Sequence, residues 1–132
     1  MPLCYPPAKR GESIMAIFEA ESWYVAEGKD KEHEREMRRW LTFVNEHRDL
    51  FKEWKSVRYF VKTIAGEESG RHFVVWEYDS LADYEAYKKR RKNYEGPYAE
   101  YKKNDPYYKG VFIHHGMKVE FWEDRERELW IE

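Results

Sequence analysis

The sequence predicts one α+β domain of βαββαβ order. Three patterns carry that expectation. Apolar residues recur at every second position in four short segments, the mark of half-buried strands. A long stretch after the first segment keeps the three-and-four spacing of an amphipathic helix. A loop with glycine at both ends joins the two middle segments, as in a hairpin. The 132 residues suit one domain with a core of its own.

Residues 1–12 read as a flexible tail, because three prolines and a glycine leave neither helix nor strand. The domain then covers 13–132, and Met15, where ordered patterning begins, is a candidate start of translation. Residues 14–25 alternate as the first strand. Gly28-Lys29-Asp30 ends it, with Asp30 as the expected N-cap of a helix over 31–54. Met37, Trp40, Leu41, Val44, His47, Phe51 and Trp54 form its apolar stripe. Residues 56–65 and 71–78 are the second and third strands, joined by Gly66–Gly70. Asp79-Ser80 caps a second helix with Leu81, Tyr84 and Tyr87 inward. Gly96-Pro97 interrupts it, and Pro97 starts a further turn at its first position. Residues 111–122 form the fourth strand, kinked at Gly116. Leu129 and Trp130 are candidate anchors of the charged C-terminal segment.

Composition narrows the function classes. The net charge of −2 balances 24 basic against 26 acidic residues, so no global basic bias points to nucleic acid. No apolar run is long enough to span a membrane. The lone cysteine, Cys4, can form no internal disulfide and fits a reducing cytoplasm. No Cys/His spacing resembles a metal site, and no phosphate loop, nucleotide fingerprint or Ser-His-Asp order is visible. The residues therefore call for no cofactor. Charged residues reach 38%, a composition common in thermophile proteins.

The βαββαβ order is the ferredoxin-like plan, an antiparallel sheet with helices on one face. The other face is expected to carry Ile17, Trp23, Phe60 and Phe112 beside Glu19, Glu21, Arg58, Lys62, His114 and Lys118. Such a mixed face suits a second sheet, and hence a homodimer closed into a barrel.

The strand, Gly-Lys-Asp and long-helix opening over 19–40 and the junction Trp76-Glu77-Tyr78-Asp79-Ser80-Leu81-Ala82-Asp83-Tyr84 resemble the dimeric α+β barrel superfamily. That superfamily includes antibiotic-biosynthesis-monooxygenase-like and NIPSNAP-like small proteins. The likeness spans roughly 14–122 and is structural, not catalytic. It implies a dimer with a pocket between sheet and helices. It also implies a small-molecule-binding role, such as a cofactor-independent monooxygenase or isomerase. Fold alone does not choose among these.

Trp23, Tyr59, Trp76, His114 and the tyrosines between 94 and 108, Tyr98 among them, are the expected pocket lining. By parity they can all meet only at a strand end or across a dimer interface. The Tyr98–Tyr108 segment is expected to cover the sheet end. His114 is the candidate acid or base, since imidazole titrates near neutral pH. It is expected on the barrel face, with His115 toward the helices. His33 reads as solvated and His47 as a half-buried spacer. Fourteen residues separate them, about 21 Å along one helix, too far to share a metal. Glu19, Glu21 and Glu77 with Arg58 and Lys62 read as cross-strand ion pairs. Haem is disfavoured, because adjacent strand histidines point to opposite faces.

The rival readings are a purely structural dimer with no catalytic role and an RNA-binding domain of the same order. Gly70, Phe73, Val74 and Trp76 match part of the RNA-recognition pattern, while Ser69, Arg71 and His72 depart from it. The Lys88–Lys92 run beside Tyr84, Tyr87 and Tyr94 could form a basic patch. Such a run is more often a solvated helix face.

Overall fold

The computed structural model describes residues 16–125 and 127–131. The tail 1–12, Cys4 and the alternative start Met15 lie outside the described residues. Four strands, β1 (Ile17–Val25), β2 (Ser56–Val61), β3 (His72–Tyr78) and β4 (Phe112–Glu123), form one sheet in the order β2-β3-β1-β4. Every neighbouring pair is antiparallel. With helices α1 (Asp30–Glu46), α2 (Leu81–Arg90) and α3 (Tyr98–Lys103), this is the ferredoxin-like α+β plan. No described helix is long and apolar enough to cross a membrane.

The helices pack on the face carrying Trp23, Val74, Tyr78 and Phe112. This reverses the expectation for β1 and the start of β4. Ile17, Glu19, Glu21, Trp23 and Phe112 turn toward the helices, not to the open face. Size decides it. Trp23, only 2% exposed, stacks on Phe112 at 4.2 Å, and the helix side alone offers a hole for so large a ring. The small Ala20 and Ser22 go to the other side. Phe60, Arg58, Lys62 and Lys118 stay on the open face, where the Phe60 and Phe73 rings stack at 4.9 Å.

The first helix is shorter than its apolar stripe. It stops at Glu46, and Arg48–Phe51 tighten into a 3-10 turn. A continued helix would carry Phe51 and Trp54 past the sheet. The turn stacks them at 4.5 Å and buries both. Asp30 is not the cap: Lys29 holds that position without a side-chain bond, and Asp30 sits in the first turn, where its charge favours the helix dipole. Ser80 does cap α2, accepting the Asp83 N–H at 3.2 Å. Leu81 is 53% exposed rather than inward, because the inward row runs through Tyr84 and Tyr87. Helix α2 ends at Arg90, before Gly96, and Pro97 caps α3 from outside its first turn. Leu129 is exposed, while Trp130 bonds the Arg125 carbonyl.

His33 is buried, 2% exposed, not solvated. Its Nε2 accepts the Trp23 indole N–H at 2.9 Å, so the first turn of α1 closes over the core with a satisfied polar contact. His47 is half-buried, stacked on Phe43. Strand β4 shifts register between its pairs with Tyr24 and Ser22, and Gly116 there has φ +79°, a left-handed conformation that glycine adopts freely. His114 precedes that irregularity. It lies on the helix side, its ring stacked on Tyr107 at 4.4 Å, so the expected assignment of His114 to the barrel face is also reversed.

Candidate active site

A cavity of about 270 Å³ opens between the sheet and the helices. Its floor comes from β1 and β3, whose helix-facing positions bring Glu19, Glu21, Trp23, Val74 and Trp76 together. Trp40 and Trp54 form one wall, and Tyr87 and Lys88 of α2 with Arg91 just past its end form another. Tyr94, Tyr101 and Asp105–Tyr108 close over the top. Tyr94 is itself held in the left-handed region, φ 51°, after Asn93 at φ 63°. That conformation costs an L-residue about 1–2 kcal/mol, and such strain concentrates at functional sites.

The charged groups form one cluster. Glu19 Oε1 accepts the Tyr78 hydroxyl at 3.3 Å, and Tyr78 in turn accepts the Trp54 N–H at 3.0 Å. Glu19 Oε2 faces Lys88 Nζ at 4.0 Å. Burial pushes the Glu19 carboxyl up, against the pull of Lys88, and pushes the Lys88 ammonium down, against the pull of Glu19. Asp105 is also raised by burial, although its Oδ1 accepts the Tyr107 N–H at 3.0 Å. The Arg91 guanidinium lies over the Tyr87 and Tyr94 rings, at 5.5 and 5.0 Å.

Glu21 sits among these groups. Burial first, then the negative charges of Glu19 and Asp105, push its carboxyl up to about 7; Lys88 and Arg91 pull the other way. Its oxygens have no hydrogen-bond partner among the described residues. A carboxyl of this kind is part protonated at neutral pH, so it can both take and give a proton. The phenols of Tyr87, Tyr94 and Tyr101 are raised by burial and stay neutral donors. No group of His, Cys, Asp and Glu arranged to hold a metal occurs among the described residues.

Of the residues proposed from sequence, Trp23, Trp76 and four of the tyrosines between 94 and 108, Tyr94, Tyr101, Tyr107 and Tyr108, line this cavity. Tyr59 lies off it, its hydroxyl bonded to His72 Nδ1 beside His33. Tyr98 is buried elsewhere in the core, donating to the Leu50 carbonyl at 2.7 Å and accepting from Arg90 Nε. His114 is exposed outside the cavity, bonded through Nε2 to the Tyr107 carbonyl at 2.9 Å. The expected ion-pair set divides. Glu19 and Glu21 enter the cavity, Glu77 accepts the Ser56 hydroxyl at 2.8 Å, and Arg58 lies over Phe60. Lys62 pairs with Glu68, which also binds Lys118.

Lys88, Arg91 and Asp105 escaped the sequence reading. Lys88 and Arg91 hid inside a run read as solvated. Their signal was position: Lys88 follows Tyr84 by four residues and Arg91 follows Tyr87 by four, which continues the inward face of α2.

No family model matches the chain, and no curated protein sequence matches it either. Solved structures do. A NIPSNAP family protein from Agrobacterium tumefaciens aligns over 81% of this chain and 90% of its own, with TM-score 0.57 and 16% identity. A dimeric protein of unknown function and ferredoxin-like fold from Bacteroides fragilis aligns over 83% and 96%, with TM-score 0.54 and 10% identity. An antibiotic-biosynthesis-monooxygenase-like protein from Bordetella bronchiseptica aligns over 84% and 96%, with TM-score 0.51 and 12% identity. The shared property is the fold: this chain has the ferredoxin-like α+β architecture of the NIPSNAP and antibiotic-biosynthesis-monooxygenase-like proteins that its sequence resembles.

Proposed function

We propose that this chain binds a small molecule in the cavity over β1 and β3 and moves a proton on it, as a cofactor-independent isomerase. The observation behind this reading is Glu21, an unpartnered carboxyl inside an aromatic cavity whose pKa is pushed up to about 7. In such a step Glu21 takes a proton from a carbon beside a carbonyl, and the electron pair moves onto the carbonyl oxygen. Lys88 and Arg91 lie where they can offset that negative charge. On a carbonyl compound with a β,γ double bond, Glu21 then returns the proton to the γ carbon while the double bond moves into conjugation with the carbonyl, so the step balances without an oxidant or a second reactant. Isomerisation is favoured over monooxygenation because the residues present supply every participant.

The alternative of RNA binding loses its patch on inspection of the basic run. Lys88 and Arg91 line the cavity and Arg90 binds Glu53, which leaves Lys89 and Lys92 exposed without a continuous basic stripe. We further infer a homodimer through the open sheet face. Phe60 and Phe73 stack there beside Val75, and Trp122 is 43% exposed on the same side. The Bacteroides fragilis neighbour is described as dimeric.

The test is a melting-shift screen of small carbonyl compounds against the wild type and Glu21→Gln, followed by proton–deuterium exchange of each hit in D2O. Hits whose carbon-bound hydrogen exchanges with the wild type, and at least about a hundredfold more slowly with Glu21→Gln, support the reading. Hits that exchange equally with both proteins, or a screen without any hit, overturn it.

A further inference from the structure

We propose that Lys88 is a nucleophile of this cavity and captures an aldehyde or ketone as a protonated imine, with Glu19 carrying the protons. The capture goes beyond the proton-transfer reading, since it needs no proton to leave carbon.

The placement of Lys88 carries the inference. Among the described residues it is the one lysine that lines the cavity. Its Nζ stands 4.0 Å from Glu19 Oε2 and 5.4 Å from the centre of the Tyr84 ring. The contact with Glu19 is longer than a hydrogen bond, and Lys88 donates no other among the described residues. A lysine tied down for structure looks different: Lys62 and Lys118 bind Glu68 at 2.9 and 2.6 Å. The Lys88 side chain keeps 35% of its surface exposed, so a molecule entering the cavity can reach it. Burial, with Arg91 after it, pushes the ammonium down against Glu19, Glu21 and Asp105, which favours the free amine that a nucleophile needs. Glu19, whose carboxyl burial pushes up, is suited to hold the proton that Lys88 gives away.

The step balances with these two residues and the carbonyl compound. Lys88 passes one proton to the Glu19 carboxylate. The freed nitrogen pair attacks the carbonyl carbon, a C–N bond forms, and the carbonyl pair moves onto oxygen, which takes a proton from the attacking nitrogen. Glu19 returns its proton to that oxygen. The C–O bond breaks, water leaves, and the nitrogen pair closes the C=N bond. The product is a cation on nitrogen beside the Glu19 carboxylate, the same charges as at the start. The walls choose the ligand body. Trp23, Trp40 and Trp54 offer ring faces, and about 270 Å³ has room for an aromatic ring, since a cavity of about 150 Å³ admits benzene.

The probe is benzaldehyde, with sodium cyanoborohydride raised until its concentration no longer sets the rate. The reductant turns the imine into a stable benzylamine that peptide mass mapping locates. On the wild type at pH 7, Lys88 should be labelled at least about tenfold faster than Lys89 and Lys92, which are exposed. Glu19→Gln should slow the labelling of Lys88 about tenfold or more, although loss of the carboxylate frees more of the amine, and should leave Lys89 unchanged. Labelling of wild-type Lys88 no faster than Lys89 overturns the proposal. So does a Glu19→Gln variant that labels Lys88 as fast as the wild type. The wild-type comparison needs no substitution and stands if the variant fails to fold. Glu21-dependent hydrogen exchange without a Lys88 adduct would leave the proton-transfer reading standing while this one fails, and a Lys88 adduct without any exchange would do the reverse.

Discussion

His33 and Glu21 titrate over the same pH range with opposite consequences for stability. Burial lowers His33 to about 4, below the ordinary value near 6.5. The unfolded chain therefore takes up a proton that the folded chain refuses, and stability falls as pH drops from about 6.5 to 4. The loss is on the order of 3 kcal/mol. His72, also lowered by burial, adds to it. Glu21 is raised to about 7 from 4.5, so its contribution is complete below 4.5 and is lost as pH rises through 7. The two slopes oppose each other between pH 4.5 and 6.5, and each is exposed in a variant that removes one of the two groups. His33→Gln keeps an acceptor for the Trp23 N–H and does not titrate. Melting curves should show it gaining stability, relative to the wild type, toward pH 4.5. Glu21→Gln should instead gain toward pH 7.5. Parallel curves for all three proteins would show that neither group is held away from its ordinary value.

Between α2 and β4 the chain builds the roof of the cavity from short, irregular pieces. Its last piece, Pro106–Tyr108, is tied down from outside by His114, through the bond to the Tyr107 carbonyl and the stack on the Tyr107 ring. His114 thus acts on the cavity at one remove, as a latch on a residue that lines it. Replacing it by Ala removes one exposed hydrogen bond and a ring contact, worth about 1 kcal/mol together. Hydrogen exchange at the Tyr107 and Tyr108 amides should accelerate about fivefold in His114→Ala, with the β1 and β3 amides unchanged. Unchanged exchange at both tyrosines would rule out the latch. The wild-type fold should otherwise persist, because His114 is exposed and outside the core cluster.

At the scale of the whole molecule the described helices lie on one face of the sheet, and none of them covers the other. The face away from the described helices carries apolar rings within a rim of paired charges, Lys62 and Lys118 on Glu68 and Arg71 nearby. Two copies meeting on this face would bury Phe60, Phe73 and Val75. Sedimentation equilibrium at micromolar concentration should give twice the 16.3 kDa chain mass. Phe73→Glu should give the monomer, since a carboxylate facing the stacked rings costs several kcal/mol when desolvated. Circular dichroism should stay that of the wild type. A wild type that sediments as a monomer at every concentration would remove the dimer.

The order of elements, the four strands, the Ser80 cap and the Gly116 irregularity were legible in the sequence because each depends on neighbours within a few residues. Alternation shows which residues of a strand share a face, but not which face is covered. Both sets in β1 are half apolar, Ile17 and Trp23 with two glutamates against Phe18 and Tyr24 with small residues. Only the hole beneath α1 decided between them, by accepting the largest ring. The carboxylates followed Trp23 inward. Glu21 acquires its raised pKa from burial and from the negative charges of Glu19 and Asp105, against the pull of Lys88 and Arg91, and of these groups only Glu19 is near it along the chain. The burial of His33 likewise depends on Trp23 and Phe112 arriving from two strands. Local pattern determined the architecture. The chemistry of the cavity came from charges and rings that only the folded sheet brings together, because Coulomb interaction and desolvation depend on distance in space and not on separation in sequence.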